Sequence, residues 1–223
     1  MKAMILAAGR GERLRPLTER VPKPLVEVGG RTLLDWHLQR LAQAGYREAV
    51  INVSHLGEQI VSHVGDGARY GLRVAWSREA EPLETAGGLA QARTLLGEAP
   101  FLLVNSDIYC EFNFALLKGL SLHGDLAHAV LVPNPRHHPK GDFTMEHGKV
   151  GNGAAPRYTY AGIAVMSPDL VAGVSPGDKA PLGPLLRKAA DERRLAGELY
   201  RGLWTDVGTM ARLDELRALL ASR

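Results

Sequence analysis

The sequence predicts an α/β fold, a mostly parallel mixed sheet covered by helices on both faces, and three observations predict it. Short apolar runs of strand length alternate with stretches whose apolar residues recur at helical spacing, the pattern of a sheet held between two helical layers. The first run opens directly into a turn rich in glycine and arginine, and α/β sheets bind ligands beyond the carboxyl ends of their strands. With 223 residues, 45% hydrophobic and 23% charged, the chain is long enough for one sizeable core, and one domain spanning residues 1–223 is expected.

Ala3 to Ala8 is an apolar run short enough for one buried strand. Thr32 can cap a helix whose apolar positions Leu33, Leu34, Trp36, Leu38 and Leu41 recur at helical spacing, and Gly45 follows its end. Ala49 to Val53 reads as the second strand. Amphipathic Leu56 to Val64 ends at Gly65 and leads to the alternating Leu72, Val74 and Trp76 of a third. Thr85 to Leu96 is helical again, and Phe101 to Val104 is a fully apolar strand with Asn105, Ser106 and Asp107 at its end. Asp107 and the opening loop should therefore share one rim of the sheet. Ala127 to Val132 is a further strand. From Pro133 to Pro156, proline, glycine and polar residues predict loops with short antiparallel strands, and Tyr158 to Val165 follows as a strand. Leu182 to Leu195 reads as a helix, Leu199 to Trp204 as a strand, and Thr209 to Leu220 as a closing amphipathic helix.

Composition narrows the function classes. The formal charge is +3, with a pI near 9.1, but the basic residues are dispersed apart from one cluster in the opening loop, which argues for a local phosphate site and against nucleic acid as a partner. A lone cysteine, Cys110, excludes an internal disulfide framework and any multi-cysteine metal site. No stretch approaches a membrane span and the N-terminal apolar run is too short for a signal-peptide core, so a cytoplasmic protein is expected.

The opening stretch, Ile5 to Leu25, carries the chemistry. Gly9 and Gly11 let backbone approach a ligand without Cβ obstruction, and successive N–H groups in such a loop form a nest for phosphate oxygens. A dinucleotide-binding unit also starts Gly-x-Gly after a strand. Its third glycine would fall at Leu14, however, and Pro16, Pro22 and Pro24 cannot continue the helix that would hold the pyrophosphate.

Strand, Gly9-Arg10-Gly11-Glu12-Arg13, Pro16-Leu17-Thr18 and Pro22-Lys23-Pro24-Leu25 resemble the signature of the sugar-1-phosphate nucleotidyltransferases, and the resemblance runs over nearly the whole chain. It is close to the family's short bacterial members, the N-acetylmuramate-1-phosphate uridylyltransferases of peptidoglycan recycling. The resemblance implies their Rossmann-like three-layer sandwich and a Mg²⁺-dependent enzyme, monomeric or homodimeric, that takes UTP and a sugar 1-phosphate and releases pyrophosphate. It makes Arg13 the pyrophosphate contact, where a planar fork of donors suits two phosphate oxygens, and Lys23 a point charge between the α-phosphate and the incoming sugar phosphate. Asp107 matches the aspartate at the end of the family's strand. Asp206, in Trp204-Thr205-Asp206-Val207-Gly208-Thr209, matches W-x-D-x-G-T, and the pair is implied to hold one Mg²⁺, an ion that takes few carboxylates plus phosphate oxygens and water.

The nucleotide is implied to lie on Ala7, Ala8, Gly9, Gly11, Glu12, Arg13 and Lys23, with the base on Glu79, Glu84, Thr85 and Gly88. Many relatives read L-G-T-x-G where this chain has Leu83-Glu84-Thr85-Ala86-Gly87, and Gly87 and Gly88 would let a flat base rest on backbone. Glu79 could accept from uracil or from guanine. Asn105, Gly141, Asp142 and Gly162 match sugar contacts. The family's Glu-Lys-Pro segment has no counterpart in Gly151 to Arg157, and Arg201 is the candidate partner for a lactyl carboxylate. His137 and His138 read as a polar loop. Other sugar 1-phosphates with GTP or dTTP are the alternative substrates. A non-catalytic sugar-nucleotide-binding subunit is the alternative class, and it would have lost Arg13, Lys23, Asp107 or Asp206; all four are present.

Overall fold

The expected alternation holds in the computed structural model, which describes residues 1–154 and 156–223; Ala155, within the loop segment, lies outside the described residues. Strand β1 is Ala3–Leu6, and β2 (Glu27–Val28) and β3 (Arg31–Thr32) form a small hairpin across Gly29 and Gly30, both at positive φ as such a turn requires. Helix α1 (Leu33–Gln43) starts at Thr32 in a full capping box with Asp35. Strand β4 (Glu48–Val53), helix α2 (Gly57–Val64), strand β5 (Arg73–Arg78), helices α3 (Glu84–Gln91) and α4 (Arg93–Leu96), strand β6 (Phe101–Asn105) and short β7 (Ile108–Cys110) complete the first half. The second half holds β8 (Ala127–Val132), β9 (Phe143–Glu146), β10 (Lys149–Gly151), β11 (Arg157–Met166), α5 (Leu182–Asp191), β12 (Leu195–Leu199), β13 (Trp204–Asp206) and α6 (Met210–Ala221).

Nine strands make the main sheet in the order β5-β4-β1-β6-β11-β8-β12-β10-β9. Strands β5, β4, β1 and β6 are parallel, so their carboxyl ends share one rim; β11 and β10 run against the rest. At the far end β9 pairs with β10 on one side and with the start of β11 on the other, closing that end of the sheet on itself. Side chains alternate across the sheet as pleating requires. Ile5, Ile51, Leu102 and Val104 pack with α1 and α2 through Leu34, Leu38, Leu41 and Ile60, whereas Met4, Val50 and Leu103 pack with α3, α4 and α5 through Leu89, Leu96 and Leu186. Those are the two helical layers. A third cluster, with Leu14, Val26, Val28, Leu33, Val207, Leu213 and Leu216, seats the opening loop on α6.

Two expectations need correction. Leu182 to Leu195 does not stay helical, because the charged run Asp191-Glu192-Arg193-Arg194 offers nothing to bury and Arg193 turns at φ +56°. Nor is Leu199 to Trp204 a strand. The chain spends Leu195–Leu199 beside β8, where Gly197 leaves room for the Ala129 carbonyl, bends at residues 200–203, and then forms β13 against β7. Among the described residues no helix is long and apolar enough to cross a membrane.

One buried histidine ties α1 to the strand beyond the site. His37 Nε2 lies 2.9 Å from the Ile108 carbonyl, which only accepts, so the proton sits on Nε2. Burial, with a smaller push from Arg40, lowers its pKa from 6.5 to about 4. The unfolded chain therefore binds a proton between those values that the folded chain does not, and stability should fall as pH drops through that window, by at most roughly 3 kcal/mol. Urea unfolding between pH 7 and pH 4.5 should show a steeper loss for wild type than for His37→Gln, which keeps a donor and cannot titrate. Parallel profiles would exclude His37 as the source.

Candidate active site

The parallel strands β1, β4 and β6 end together, and a cleft of about 780 Å³ opens above them. Its floor is the opening loop. Beyond β1 the Ala7 N–H leaves the sheet and donates to Asn52 Oδ1 at 2.7 Å, so the loop is fastened to the end of β4. Gly11 takes φ +65°, and Thr18 packs where its Cβ would be while donating to the Gly11 carbonyl at 2.8 Å. Leu14 drives the turn into the third core cluster, which leaves Arg13 exposed on the cleft wall and, among the described residues, without an acidic partner.

Lys23, held between Pro22 and Pro24, points its Nζ at Asp107 Oδ2 across 2.6 Å, with the lysine side chain only 11% exposed. Asp107 itself stands just past β6, where Ser106 binds the Leu6 carbonyl through both its N–H and its hydroxyl. The short β7–β13 ladder solves the problem that sequence spacing leaves open. It sets Asp206 opposite Ile108, and Val207 donates its N–H to the Asp107 carbonyl at 2.8 Å, so the two aspartates come from adjoining turns of paired strands. Trp204 Nε1, bonded to the Ala161 carbonyl at 2.9 Å, pins β13 to β11. Arg212 Nη1 donates to Asp206 Oδ2, and His137 Nε2 stands 2.9 Å from Asp206 Oδ1 and 2.6 Å from Arg212 Nη1. That nitrogen can serve only one of them at a time, accepting from arginine or donating to carboxylate. His137 lies in the expected polar loop, and that loop reaches Asp206.

The donor set suits a divalent ion of the magnesium type. Two carboxylates stand at adjoining turns of paired strands, one of them on the cleft with the opening loop, and Asp206 Oδ1 is a buried oxygen without an aligned hydrogen-bond donor. Among the described residues no group of three or more histidine, cysteine or acidic side chains is arranged to hold a metal, and His137 touches Asp206 while bonded to Arg212, which leaves the remaining positions of such an ion to phosphate oxygens and water.

On the base side Glu79, Glu84 and Thr85 line the cleft as expected, but the glycines do different work. Glu79 is 6% exposed, and burial raises its pKa; its Oε1 accepts from Asn52 Nδ2 at 2.7 Å and its Oε2 from the Leu83 N–H at 3.0 Å. Gly88 makes room for that pair, since a Cβ there would lie 2.8 Å from both Asn52 Nδ2 and Glu79 Oε1. Gly87 makes room for the backbone of residues 178–180, whose Ala180 carbonyl caps the Ala86 and Gly87 N–H groups. Neither glycine lines the cleft. Glu84 adopts φ +62°, the left-handed conformation that explains a glycine at this place in relatives.

The sugar contacts divide. Asn105 lines the cleft with a buried, unpartnered Oδ1, and Gly162, at φ +74° in the β11 bulge, clears space for its side chain. Gly141 and Asp142 do not line it. The Asp142 carboxylate accepts from the Tyr160 N–H at 2.9 Å and meets His138 Nε2 at 3.0 Å, fastening the loop before β9. Arg201 is exposed in the bend after β12 and stays outside the cleft, because the strand expected to carry it inward is not formed. Asn52, Glu81, Pro82 and Lys179 line the cleft and were not singled out in the sequence. Only Asn52, a lone amide in an apolar strand, left a visible signal there.

Residues 2–148 match the family described as nucleotidyl transferase. The chain is 47% identical to the N-acetylmuramate alpha-1-phosphate uridylyltransferase of Neisseria meningitidis serogroup B, over 98% of each. It is 32% identical to the mannose-1-phosphate guanylyltransferase catalytic subunit beta of Danio rerio, over 93% of this chain and 61% of that one. A Bacillus anthracis protein assigned as a glucose-1-phosphate thymidylyltransferase and crystallised with sucrose superimposes with a TM-score of 0.87 at 20% identity, covering 100% of this chain and 96% of the other, which supports the fold. With a glycine-rich loop, a fixed lysine and two adjoining aspartates at one rim, and with these matches, the chain belongs to the nucleotidyl transferase family.

Proposed function

We propose that this chain is a cytoplasmic Mg²⁺-dependent uridylyltransferase that makes UDP-N-acetylmuramate and pyrophosphate from UTP and N-acetylmuramate 1-phosphate. The observation that carries the reading is Arg13, Lys23 and Asp107 on one cleft, with Asp206 on the strand paired beside Asp107, in a chain 47% identical over 98% of its length to a relative of that name. A phosphate oxygen of the sugar 1-phosphate attacks the α-phosphorus of UTP. The new P–O bond forms in line as the bond to the bridging oxygen breaks, and pyrophosphate leaves with that electron pair. The opening-loop N–H groups and Arg13 bind the departing phosphates. Lys23 releases Asp107 and holds the two reacting phosphates together. A Mg²⁺ ion on Asp107 and Asp206 would supply further positive charge to the phosphate oxygens.

Base and sugar are tested together by pyrophosphate release from a matrix of nucleoside triphosphates and sugar 1-phosphates. UTP with N-acetylmuramate 1-phosphate should give the highest kcat/KM; preference for GTP with mannose 1-phosphate would favour the zebrafish relative's chemistry instead.

Arg13→Ala should lower kcat more than it raises KM for the sugar phosphate, because its partner gains charge only as pyrophosphate departs. The expected loss is about a hundredfold or more, typical of removing one electrostatic stabiliser. A change confined to KM would remove the leaving-group role.

Glu84 pairs an unfavourable backbone conformation with a place on the cleft wall, so its side chain is proposed to contact the nucleotide. In Glu84→Gly, relief of the left-handed cost and the greater freedom of the unfolded chain are each worth about 1 kcal/mol and roughly cancel. The thermal midpoint should move little while KM for UTP rises. An unchanged KM would make Glu84 a bystander.

A further inference from the structure

Asp206 is occupied before any ligand arrives. Arg212 Nη1 donates to its Oδ2 at 2.5 Å from a side chain only 12% exposed. Arg212 stands in the first turn of α6, three residues beyond the cap Thr209, where a cation opposes the helix dipole and its side chain's only hydrogen bond to the helix, among the described residues, is a long one from Nε to Thr209 Oγ1 at 3.4 Å. Space has also been cleared for it. A Cβ on Gly208 would meet the guanidinium in its present position, and Gly208 is not left-handed, so the glycine leaves that position open to Arg212. The arrangement mirrors Lys23 on Asp107. Two carboxylates thus stand with two fixed cations, and the pair presents little net negative charge to a free dication.

We propose that Arg212 is a positioning residue for the metal: it orients the Asp206 carboxylate and supplies the countercharge that keeps free divalent ions off it, so that the ion enters together with the triphosphate. This rests on Asp107 and Asp206 being the metal ligands. The geometry agrees, because Arg212 takes Oδ2 and, by also bonding His137 Nε2, keeps that nitrogen from donating to Oδ1, which stays without an aligned donor for the ion. The triphosphate brings the negative charge that the pre-neutralised site lacks.

The test is Mn²⁺ binding to the nucleotide-free protein, read by the loss of the free-ion electron paramagnetic resonance signal. Removing a charge-assisted contact that competes with the ion should tighten Mn²⁺ binding roughly tenfold in Arg212→Gln, while Arg212→Lys, which keeps the charge, stays near wild type. A merely structural arginine would leave affinity unchanged or weakened in Arg212→Gln, and that result overturns the proposal. Asp206→Asn separates the two ideas: if it binds Mn²⁺ as wild type does, the metal assignment itself fails, whereas loss of binding there with no gain in Arg212→Gln refutes only the role of Arg212. Should Arg212→Gln not fold, the wild-type Arg212 Nε–H resonance, assigned by its disappearance in Arg212→Lys, decides. It should shift when Mg²⁺ is added near its dissociation constant without nucleotide, and a resonance that ignores the ion counts against competition.

Discussion

The Asn52 side chain is the contact on which the rim depends. Its amide is buried, with Oδ1 accepting from the Ala7 N–H and Nδ2 donating to Glu79, which in turn receives the Leu83 N–H. This short chain of bonds joins the loop at the end of β1 to the segment that leads into α3. Each member would be left unpaired in the interior if another were lost, at about 1–3 kcal/mol for each stranded group. The opening-loop floor of the cleft and the wall before α3 are therefore placed as one unit. Gly88 belongs to the same unit, since any side chain there would push into the amide and the carboxylate together.

Around that unit the cleft is built from pieces far apart in sequence that meet through very short pairings. The β7–β13 ladder is only three residues long, yet it decides that Asp206 adjoins Asp107. Trp204 anchors it from the side and the Val207 N–H from the end. Long helices and strands supply burial; the short ladder supplies alignment.

Much of this was legible in the sequence because it is local. The strand entering Gly9 and Gly11, the Thr32 cap, the prolines about Lys23 and the polar end of β6 each announce themselves within a few residues. What was not legible is long-range. Gly87 and Gly88 look like a platform for a base, and only the approach of residues 178–180 and of Asn52 shows what they make room for. Asp142 looks like a free carboxylate until His138 and the Tyr160 N–H are placed on it. Arg201 was read from a strand pattern that competes with β12 for the same residues, and pairing with β8 won. The adjacency of the two aspartates came from resemblance, because nothing within either neighbourhood encodes the other.

Among the described residues, the closure of β9 onto both β10 and β11 leaves the large sheet with one unpaired border, the outer side of β5. An open border is a template for another chain, and this one is flanked by the exposed Arg73 and Arg78, held to Glu48 and Glu58. A second strand approaching it would have to desolvate those charges before forming its first ladder bond. Closing the far end of the sheet on itself thus limits where this protein can stick to itself, and resistance to aggregation should be concentrated in the two arginines at the ends of β5.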